Sequence, residues 1–241
     1  MNLCIVVPCY NEAKRISLKD YGIFLSHLTQ VNLYFVNDGS LDATAEVLGS
    51  LKNEYPKQVQ IINLKHNSGK GNAVREGMHA ALIHKSYDAF AFLDADLSTS
   101  LEECTLLARK INTSIQFVFG SRIKKIDNSI ERKFFRFIIG RIIATAISRA
   151  LNLAVYDTQC GCKIFSRKNA EIAFDKPFIS TWLFDVEIFF RLKKHFGTSD
   201  FRTMSTEIPL QHWKDQGGSK IQWTYGFKMW MDLFKIKRTY Q

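Results

Sequence analysis

The chain of 241 residues is long enough to bury a full core, and its content of 46% hydrophobic and 23% charged residues excludes a disordered or fibrous protein. A formal net charge of +10, from 33 Lys and Arg residues against 23 Asp and Glu residues, favours anionic partners: phosphates, nucleic acid or acidic lipid. Five cysteines without paired spacing do not fit a disulfide scaffold or a zinc ribbon, and no apolar run reaches the ~18 residues that a membrane-spanning helix requires.

Strands and helices alternate along the first half of the chain. Apolar runs followed by turn residues predict strands at residues 3–8, 33–36, 59–64 and 89–93. Apolar residues at helical spacing predict helices at residues 16–29, 41–54 and 71–84. This alternation is typical of an α/β domain with a mostly parallel sheet covered by helices on both faces.

Polar loops directly follow three of the predicted strands, at residues 8–12, 37–40 and 94–98. The carboxyl ends of parallel strands meet at one edge of a sheet, and ligands of such sheets bind at that edge. We therefore expect the three loops to form one site.

Asp94 and Asp96 flank Ala95 at the end of a predicted strand. Two carboxylates at this spacing can hold a hard divalent cation, Mg²⁺ or Mn²⁺, that also binds phosphate oxygens of a substrate. Such an ion can stabilise a departing diphosphate. A solvated acidic turn is the alternative, because so short a motif is weak evidence when it stands alone.

Two further segments are candidates for nucleotide and phosphate contacts. Asp38 and Ser40 place a carboxylate and a hydroxyl where a nucleotide could bind. Both could instead cap the following helix; we favour nucleotide binding for Asp38 and helix capping for Ser40. Lys70 lies between two glycines before a predicted helix, where backbone amides and the helix N-terminus favour anions. The full P-loop spacing is missing, which argues against an ATPase, and a tight structural turn is the alternative for the glycines.

Basic and apolar residues are interleaved in the C-terminal part of the chain, at residues 132–149 and 225–240. They predict basic amphipathic helices, which can lie in a lipid interface with their cations at the headgroups. Packing of the same apolar faces into the core or a dimer is the alternative. Because the first residues lack the basic leader of a signal peptide, we expect a cytoplasmic protein that associates peripherally with the cytoplasmic, anionic face of a membrane. An oligomer is left open.

Short motifs along most of the chain carry a family resemblance. They are VPCYNE (7–12), VNDGS (36–40), GKG (69–71), DADLS (94–98), GSR (120–122), DTQCGCKIF (157–165), FDVE (184–187), EIP (207–209), Trp213 and GSKI (218–221). Over residues 6–221 the chain resembles the GT-A-fold glycosyltransferases of family 2, especially dolichyl-phosphate glucosyltransferases and bacterial polyprenyl-phosphate sugar transferases. The resemblance implies a Rossmann-like α/β fold in a single domain over residues 1–241. Residues 1–122 would form the nucleotide-sugar-binding half, and residues 123–241 the acceptor- and membrane-facing half.

The resemblance also implies roles for individual residues. Those expected to bind substrate are Pro8, Tyr10, Glu12, Asp38, Ser40, Lys70, Asp94, Ala95, Arg132, Lys163, Trp213, Ser219 and Lys220. Those expected to act in catalysis are Asp96, Arg122, Asp185 and Glu187. Asp94 and Asp96 are the implied ligands of Mg²⁺ or Mn²⁺.

The implied reaction is the inverting transfer of a hexose from a UDP-sugar to a polyprenyl phosphate. The sequence of residues 157–163, DTQCGCK, resembles the glucosyl branch of the family and favours UDP-glucose over GDP-mannose. A phosphate acceptor is already ionised at neutral pH, whereas a sugar hydroxyl would need a general base, for which Asp185 and Glu187 are the candidates. The alternatives are transfer to a hydroxyl of a cell-surface polysaccharide and a non-catalytic nucleotide-sugar-binding protein. Nucleic acid is not expected as a partner, because no binding motif accompanies the positive charge.

Overall fold

The computed structural model describes residues 1–131, 134–214 and 225–241. The first part alternates strands and helices in the order β1 (Leu3–Cys9), α1 (Leu18–His27), β2 (Val31–Asn37), α2 (Thr44–Glu54), β3 (Val59–Asn63), α3 (Lys70–Leu82), β4 (Ala89–Leu93), α4 (Leu101–Ala108) and β5 (Phe117–Ser121). The second part contains β6 (Ser129–Glu131), α5 (Phe134–Leu151), β7 (Cys162–Ser166), α6 (Arg167–Phe174), α7 (Phe184–Met204), β8 (Ser205–Pro209), β9 (His212–Lys214) and α8 (Tyr225–Tyr240).

Seven strands form the central sheet in the order β3-β2-β1-β4-β7-β5-β8. β7 runs antiparallel to both of its neighbours, and the other pairs are parallel. The predicted α/β fold with a mostly parallel sheet is therefore confirmed. β2 and β3 extend the sheet to one side of β1 and β4 lies on the other, so the strand order reverses between β1 and β4, where open α/β sheets bind their ligands.

The core lies in two layers, one on each face of the sheet, as the period of two along a strand requires. From β1, Cys4 and Val6 face the layer that contains α3, α6 and α7, while Ile5 and Val7 face the layer that contains α1, α2 and α4. Both layers are built from buried aliphatic and aromatic side chains, and all five cysteines are free and buried within the fold.

Several predicted boundaries differ from the structure by a few residues. β4 and α8 have the predicted bounds, but α2 begins at Thr44 rather than at residue 41. The prediction that Ser40 caps this helix is wrong, because its hydroxyl accepts a hydrogen bond from the backbone N–H of Asn11 at 3.0 Å. The N-cap of α2 is Ala43, without a side-chain bond. Ser40 therefore joins two loops instead of starting a helix.

The antiparallel strand β7 was not predicted. Its register pairs Leu93 of β4 with Cys162 of β7. Asp94, which follows β4, therefore lies beside Gly161, which precedes β7.

In the described part of the chain, no helix is long and apolar enough to cross a membrane.

Candidate active site

The three predicted polar loops meet at the carboxyl edge of the sheet. The loop after β1 is joined to the loop after β2, because the Oδ1 atom of Asn11 accepts from the N–H of Leu41 at 2.8 Å and the hydroxyl of Thr44 accepts from the N–H of Glu12 at 2.9 Å. The same loop reaches the end of β4 through an ion pair between Arg15 and Asp96. One site with polar groups from β1, β2 and β4 results, as predicted.

Asp38 is buried at the end of β2 and holds the start of α3. Its Oδ1 atom accepts from the N–H and hydroxyl of Ser68, both at 2.8 Å, and its Oδ2 atom accepts from the N–H of Gly69 at 2.9 Å. The preceding loop passes so close that a Cβ on Gly39, whose φ is +65°, would lie 2.5 Å from the carbonyl carbon of His66. Asp38 therefore fixes the loop that presents Lys70, and its contact with a nucleotide base stays a prediction.

Lys70, the first residue of α3, is paired with Asp94, the first carboxylate of the D-x-D motif that Asp94, Ala95 and Asp96 form. Its Nζ atom lies 2.5 Å from Oδ1 of Asp94. Desolvation at the ammonium group opposes its charge, but the carboxylates of Asp94 and Asp185 outweigh this and raise the pKa of Lys70 above its usual value. The ion pair thus favours the charged form of Lys70 at a helix N-terminus, which is where a phosphate group binds favourably.

Arg15 pairs with the second carboxylate, and the sequence analysis did not identify it. Its guanidinium contacts Glu12 at 3.1 Å and also contacts Asp96, whose Oδ1 accepts from the N–H of Ser98 at 3.0 Å. The signal available in the sequence was a cation three residues after Glu12, a spacing at which side chains in one turn can meet. Asp94 and Asp96 are therefore each neutralised by a cation from a different loop.

The two aspartates fit a divalent cation by the chemistry of their donor atoms. A Cβ on Gly161 would lie 2.1 Å from Oδ2 of Asp94, so only glycine leaves room for this carboxylate. Mg²⁺ is commonly bound by one or two carboxylates together with substrate phosphates, and two hard oxygen ligands at this edge satisfy that pattern. Among the residues that the structure describes, no group of three or more His, Cys, Asp or Glu side chains could hold a metal by itself.

Arg122 follows β5 and is locked onto Asp157. Its Nε and Nη2 atoms donate to the two carboxylate oxygens at 2.7 and 2.9 Å, and its guanidinium lies 5.3 Å from the ring centre of Trp213. Desolvation lowers the pKa of Arg122, but the charge of Asp157 outweighs it and the net shift is upward. The backbone of Asp157 is in turn held by Glu207 at 2.8 Å. The expected role of Arg122 in catalysis stays a prediction.

Three expected site residues prove to be internal ion-pair partners. Lys163 is fully buried in β7, and its Nζ donates to Asp185 at 2.5 Å and to the carbonyl of Cys160 at 2.7 Å. No part of the Lys163 side chain reaches the surface, and its expected substrate contact stays a prediction. Asp185, 5% exposed, serves this buried lysine and is poorly placed to act as a general base.

Glu187 is also fully buried, and its expected role in catalysis stays a prediction. Its Oε1 atom accepts from Nη2 of Arg191 at 2.7 Å and from the hydroxyl of Tyr240 at 2.9 Å. Its Oε2 atom accepts from the N–H of Ile179 at 2.8 Å. Glu187 therefore ties α7 to the segment before it and to the end of α8.

The remaining expected residues divide into three groups. Pro8 and Tyr10 are half-buried at the end of β1, and their nucleotide contacts stay predictions. The Ala95 side chain is in the core and its carbonyl accepts from the hydroxyl of Tyr21 at 3.2 Å, and the expected substrate contact of Ala95 stays a prediction. Three residues lie outside the described part of the chain: Arg132, Ser219 and Lys220.

Comparison with known solved structures supports the fold seen here. A structure of glucosyl-3-phosphoglycerate synthase from Mycobacterium tuberculosis in complex with uridine-diphosphate superposes with a TM-score of 0.68 at 14% identity, covering 98% of this chain and 80% of that chain. A structure of that enzyme with Mn²⁺, uridine-diphosphate and glucosyl-3-phosphoglycerate gives a TM-score of 0.63 at 15% identity, covering 98% and 76%. Mannosyl-3-phosphoglycerate synthase from Rubrobacter xylanophilus gives 0.70 at 13% identity, covering 99% and 73%. The expected GT-A fold is confirmed.

Sequence comparison places the chain in a family. The dolichyl-phosphate beta-glucosyltransferase ALG5C of Trichomonas vaginalis is 32% identical over 250 residues, covering 96% of this chain and 69% of the relative. The dolichyl-phosphate beta-glucosyltransferase of Saccharomyces cerevisiae is 31% identical over 261 residues, covering 99% and 75%. The human protein of that name is 29% identical over 257 residues, covering 99% and 75%. The model of glycosyl transferase family 2 matches residues 4–172, and the chain belongs to this family.

Proposed function

We propose that the chain is a metal-dependent, inverting glucosyltransferase that moves glucose from UDP-glucose to a polyprenyl phosphate of the dolichyl type. The observation that carries the proposal is the pairing of Asp94 with Lys70 and of Asp96 with Arg15 at the reversal of strand order. Relatives named dolichyl-phosphate beta-glucosyltransferase, about 30% identical over nearly the whole chain, support the choice of substrates.

The side chains at the sheet edge suit a leaving diphosphate. Asp94 and Asp96 would hold Mg²⁺ or Mn²⁺, which supplies charge neutralisation at the departing phosphates when it is bound there. Lys70 adds a fixed positive charge beside Asp94, at the N-terminus of α3. Groups that are already oriented toward developing charge stabilise a transition state without having to reorganise. UDP then departs with the electron pair of the bond it had formed to the anomeric carbon.

The structure of α7 favours a phosphate acceptor over a hydroxyl acceptor. A hydroxyl nucleophile must lose a proton to a base, but both candidate bases, Asp185 and Glu187, are buried in ion pairs with Lys163 and Arg191. An ionised phosphate oxygen can attack the anomeric carbon directly, on the face opposite the leaving group. The reaction then needs orientation of the acceptor more than proton transfer.

Exposed apolar and basic side chains on α5 and α8 support a lipid acceptor. α8 turns Met229, Leu233 and Ile236 inward and leaves Trp230 and Phe234 exposed. α5 exposes Ile138 and Ile142 along one stripe, with Thr145 and Arg149 on the following turns. Exposed cations on these two helices include Lys228, Lys235, Arg238 and Arg149.

We call these exposed side chains of α5 and α8 the α5–α8 surface. Aromatic and aliphatic groups flanked by cations match the interface of an anionic membrane, where the rings enter the acyl boundary and the cations meet the headgroups. We propose that residues 123–241 supply this membrane-facing half of the protein and residues 1–122 the donor-binding half. Peripheral attachment at the cytoplasmic face would bring a lipid phosphate to the carboxyl edge of the sheet.

Purified protein incubated with UDP-glucose and Mn²⁺, with and without dolichyl phosphate, tests the proposed activity. UDP release should rise when the lipid phosphate is added and should be lost in Asp96→Asn. The exposed Asp127 provides the matched control, because Asp127→Asn removes a carboxylate that pairs only weakly with Lys125 at 3.5 Å. Release that ignores the lipid would favour a polysaccharide acceptor, and no donor turnover would favour a non-catalytic binding protein.

A further inference from the structure

Arg15 is an unassigned cation at the centre of the candidate site. It lies in the turn after β1, where its own N–H donates to the carbonyl of Glu12 at 2.8 Å. The Nη1 atom of Arg15 donates to the carboxylate of Glu12 at 3.1 Å, and the Nη2 atom of Arg15 pairs with Asp96. The three side chains are 32%, 12% and 16% exposed, so solvent screens these contacts only partly. Glu12 thus orients the guanidinium of Arg15 toward Asp96.

The contact between Arg15 and Asp96 competes with metal binding. A divalent cation bound at Oδ2 of Asp96 needs the same oxygen that the guanidinium contacts, and two positive groups repel each other at that distance. Arg15 must therefore move when the cation binds. Glu12 keeps it tethered within one turn of the chain, next to the strand-order reversal where the donor diphosphate would lie.

A displaced guanidinium is well suited to a diphosphate. Its planar array of N–H donors matches two phosphate oxygens at once, which an ammonium group does not. Lys70 and Arg15 also have anionic partners in both arrangements. Asp94 and Asp96 are offset by Lys70 and Arg15 before the cation binds, and afterwards the cation offsets the aspartates while Lys70 and Arg15 offset the diphosphate.

We propose that Arg15 is a donor-binding residue that occupies the Asp96 carboxylate until a divalent cation takes its place, and then binds the diphosphate of the nucleotide sugar. The inference rests on the proposed function, because it assumes a diphosphate donor. It predicts opposite effects of removing Arg15. Metal alone should bind more tightly, since a competitor is gone, and the nucleotide should bind more weakly, since a ligand group is gone.

Calorimetry with Arg15→Gln separates the two effects. Binding of Mn²⁺ alone should tighten about tenfold and binding of UDP at saturating Mn²⁺ should weaken about tenfold, the size of one charge-assisted hydrogen bond. Arg15→Lys should give intermediate values for UDP, because it keeps the charge without the planar array of donors. Lys14→Gln, which removes the exposed neighbouring cation, should leave both affinities unchanged.

The opposite signs make the result decisive. Weakening of both affinities would assign Arg15 a purely structural role, and an unchanged affinity for either probe would also overturn the proposal. Thermal unfolding of each variant shows whether the fold is kept. Neither probe requires turnover of UDP-glucose, so absence of lipid-dependent transfer would contradict the proposed function while leaving opposed shifts in Mn²⁺ and UDP affinity as support for Arg15.

Discussion

At the scale of single residues, the position of Asp94 depends on the absence of a side chain across the sheet. The antiparallel register of β4 and β7 brings Gly161 against the Asp94 carboxylate, and a Cβ there would overlap Oδ2 at 2.1 Å. Real Cβ atoms do not approach an oxygen so closely, so any side chain at this position must push the carboxylate away. Metal binding is therefore sensitive to a residue that carries no functional group itself.

Gly161→Ala should weaken Mn²⁺ binding and reduce UDP release at least tenfold, because about 1 Å of misplacement at a reacting group costs on this order or more. Gly49→Ala is the matched control, since nothing lies within 4 Å of a Cβ at this position of α2. The control should raise stability by about 0.5–1 kcal/mol and leave activity unchanged. Normal Mn²⁺ affinity in Gly161→Ala would contradict the expected crowding.

Glu187→Gln tests whether Glu187 is structural or catalytic. It leaves Arg191 buried without its countercharge, so the free energy of unfolding should fall by about 3 kcal/mol, while kcat of the folded enzyme should stay near that of the original chain. Chemical denaturation measures the free energy of unfolding, and steady-state kinetics measures kcat. Glu171→Gln on the exposed side of α6 should change stability by less than about 0.5 kcal/mol. A loss of kcat with normal stability would instead support the predicted catalytic role of Glu187.

The residues that sequence reasoning identified well are those that follow strands. The positions of Asp94 and Asp96 could be predicted because a strand end fixes the edge at which they lie. Lys70 could be predicted from its place at the start of a helix. Lys163 and Glu187 could not, since the direction and depth of their side chains depend on partners packed from other elements. Lys163 is neutralised by Asp185, 22 positions away, and Glu187 reaches Tyr240, 53 positions away. A local motif contains no information about such partners.

At the scale of elements, α8 has an inner and an outer face with different tasks. The inner face packs Leu233 and Ile236 into the core and carries Asp232, which accepts from the hydroxyl of Ser180 at 2.7 Å. The outer face exposes Trp230 and Phe234, the latter 66% exposed. The sequence predicted this helix with its observed bounds. One face packs inward, and contact of the exposed face with lipid stays a prediction.

Replacing Trp230 and Phe234 by serine tests membrane attachment through the α5–α8 surface. The double variant should lose most binding to vesicles that contain phosphatidylserine, because each ring contributes about 1.5–3 kcal/mol when it leaves water. Co-sedimentation measures the bound fraction. Leu106→Ser, at an exposed leucine on α4 in the opposite layer, should bind as before. Unchanged vesicle binding together with a shift from dimer to monomer would identify the surface as an interface between copies of the chain.

At the scale of the whole molecule, the strand order creates the site and the second half of the chain completes it. β1 and β4 supply the crevice, and β7 enters between β4 and β5 in the opposite direction. The alternation of strands and helices predicted the first half, because each crossover helix requires a parallel neighbour. It did not predict β7, since an antiparallel insertion has no local signature in strand composition or length.

The transfer of labelled glucose from UDP-glucose into a lipid-extractable product tests the central claim most directly. In the presence of Mn²⁺ and dolichyl phosphate, the label should enter the organic phase as a glucosyl phosphate lipid with inverted anomeric configuration, and it should stay in water when the lipid phosphate is omitted. Label that remains in the aqueous phase, as free glucose or bound to a polysaccharide, would contradict a polyprenyl phosphate acceptor.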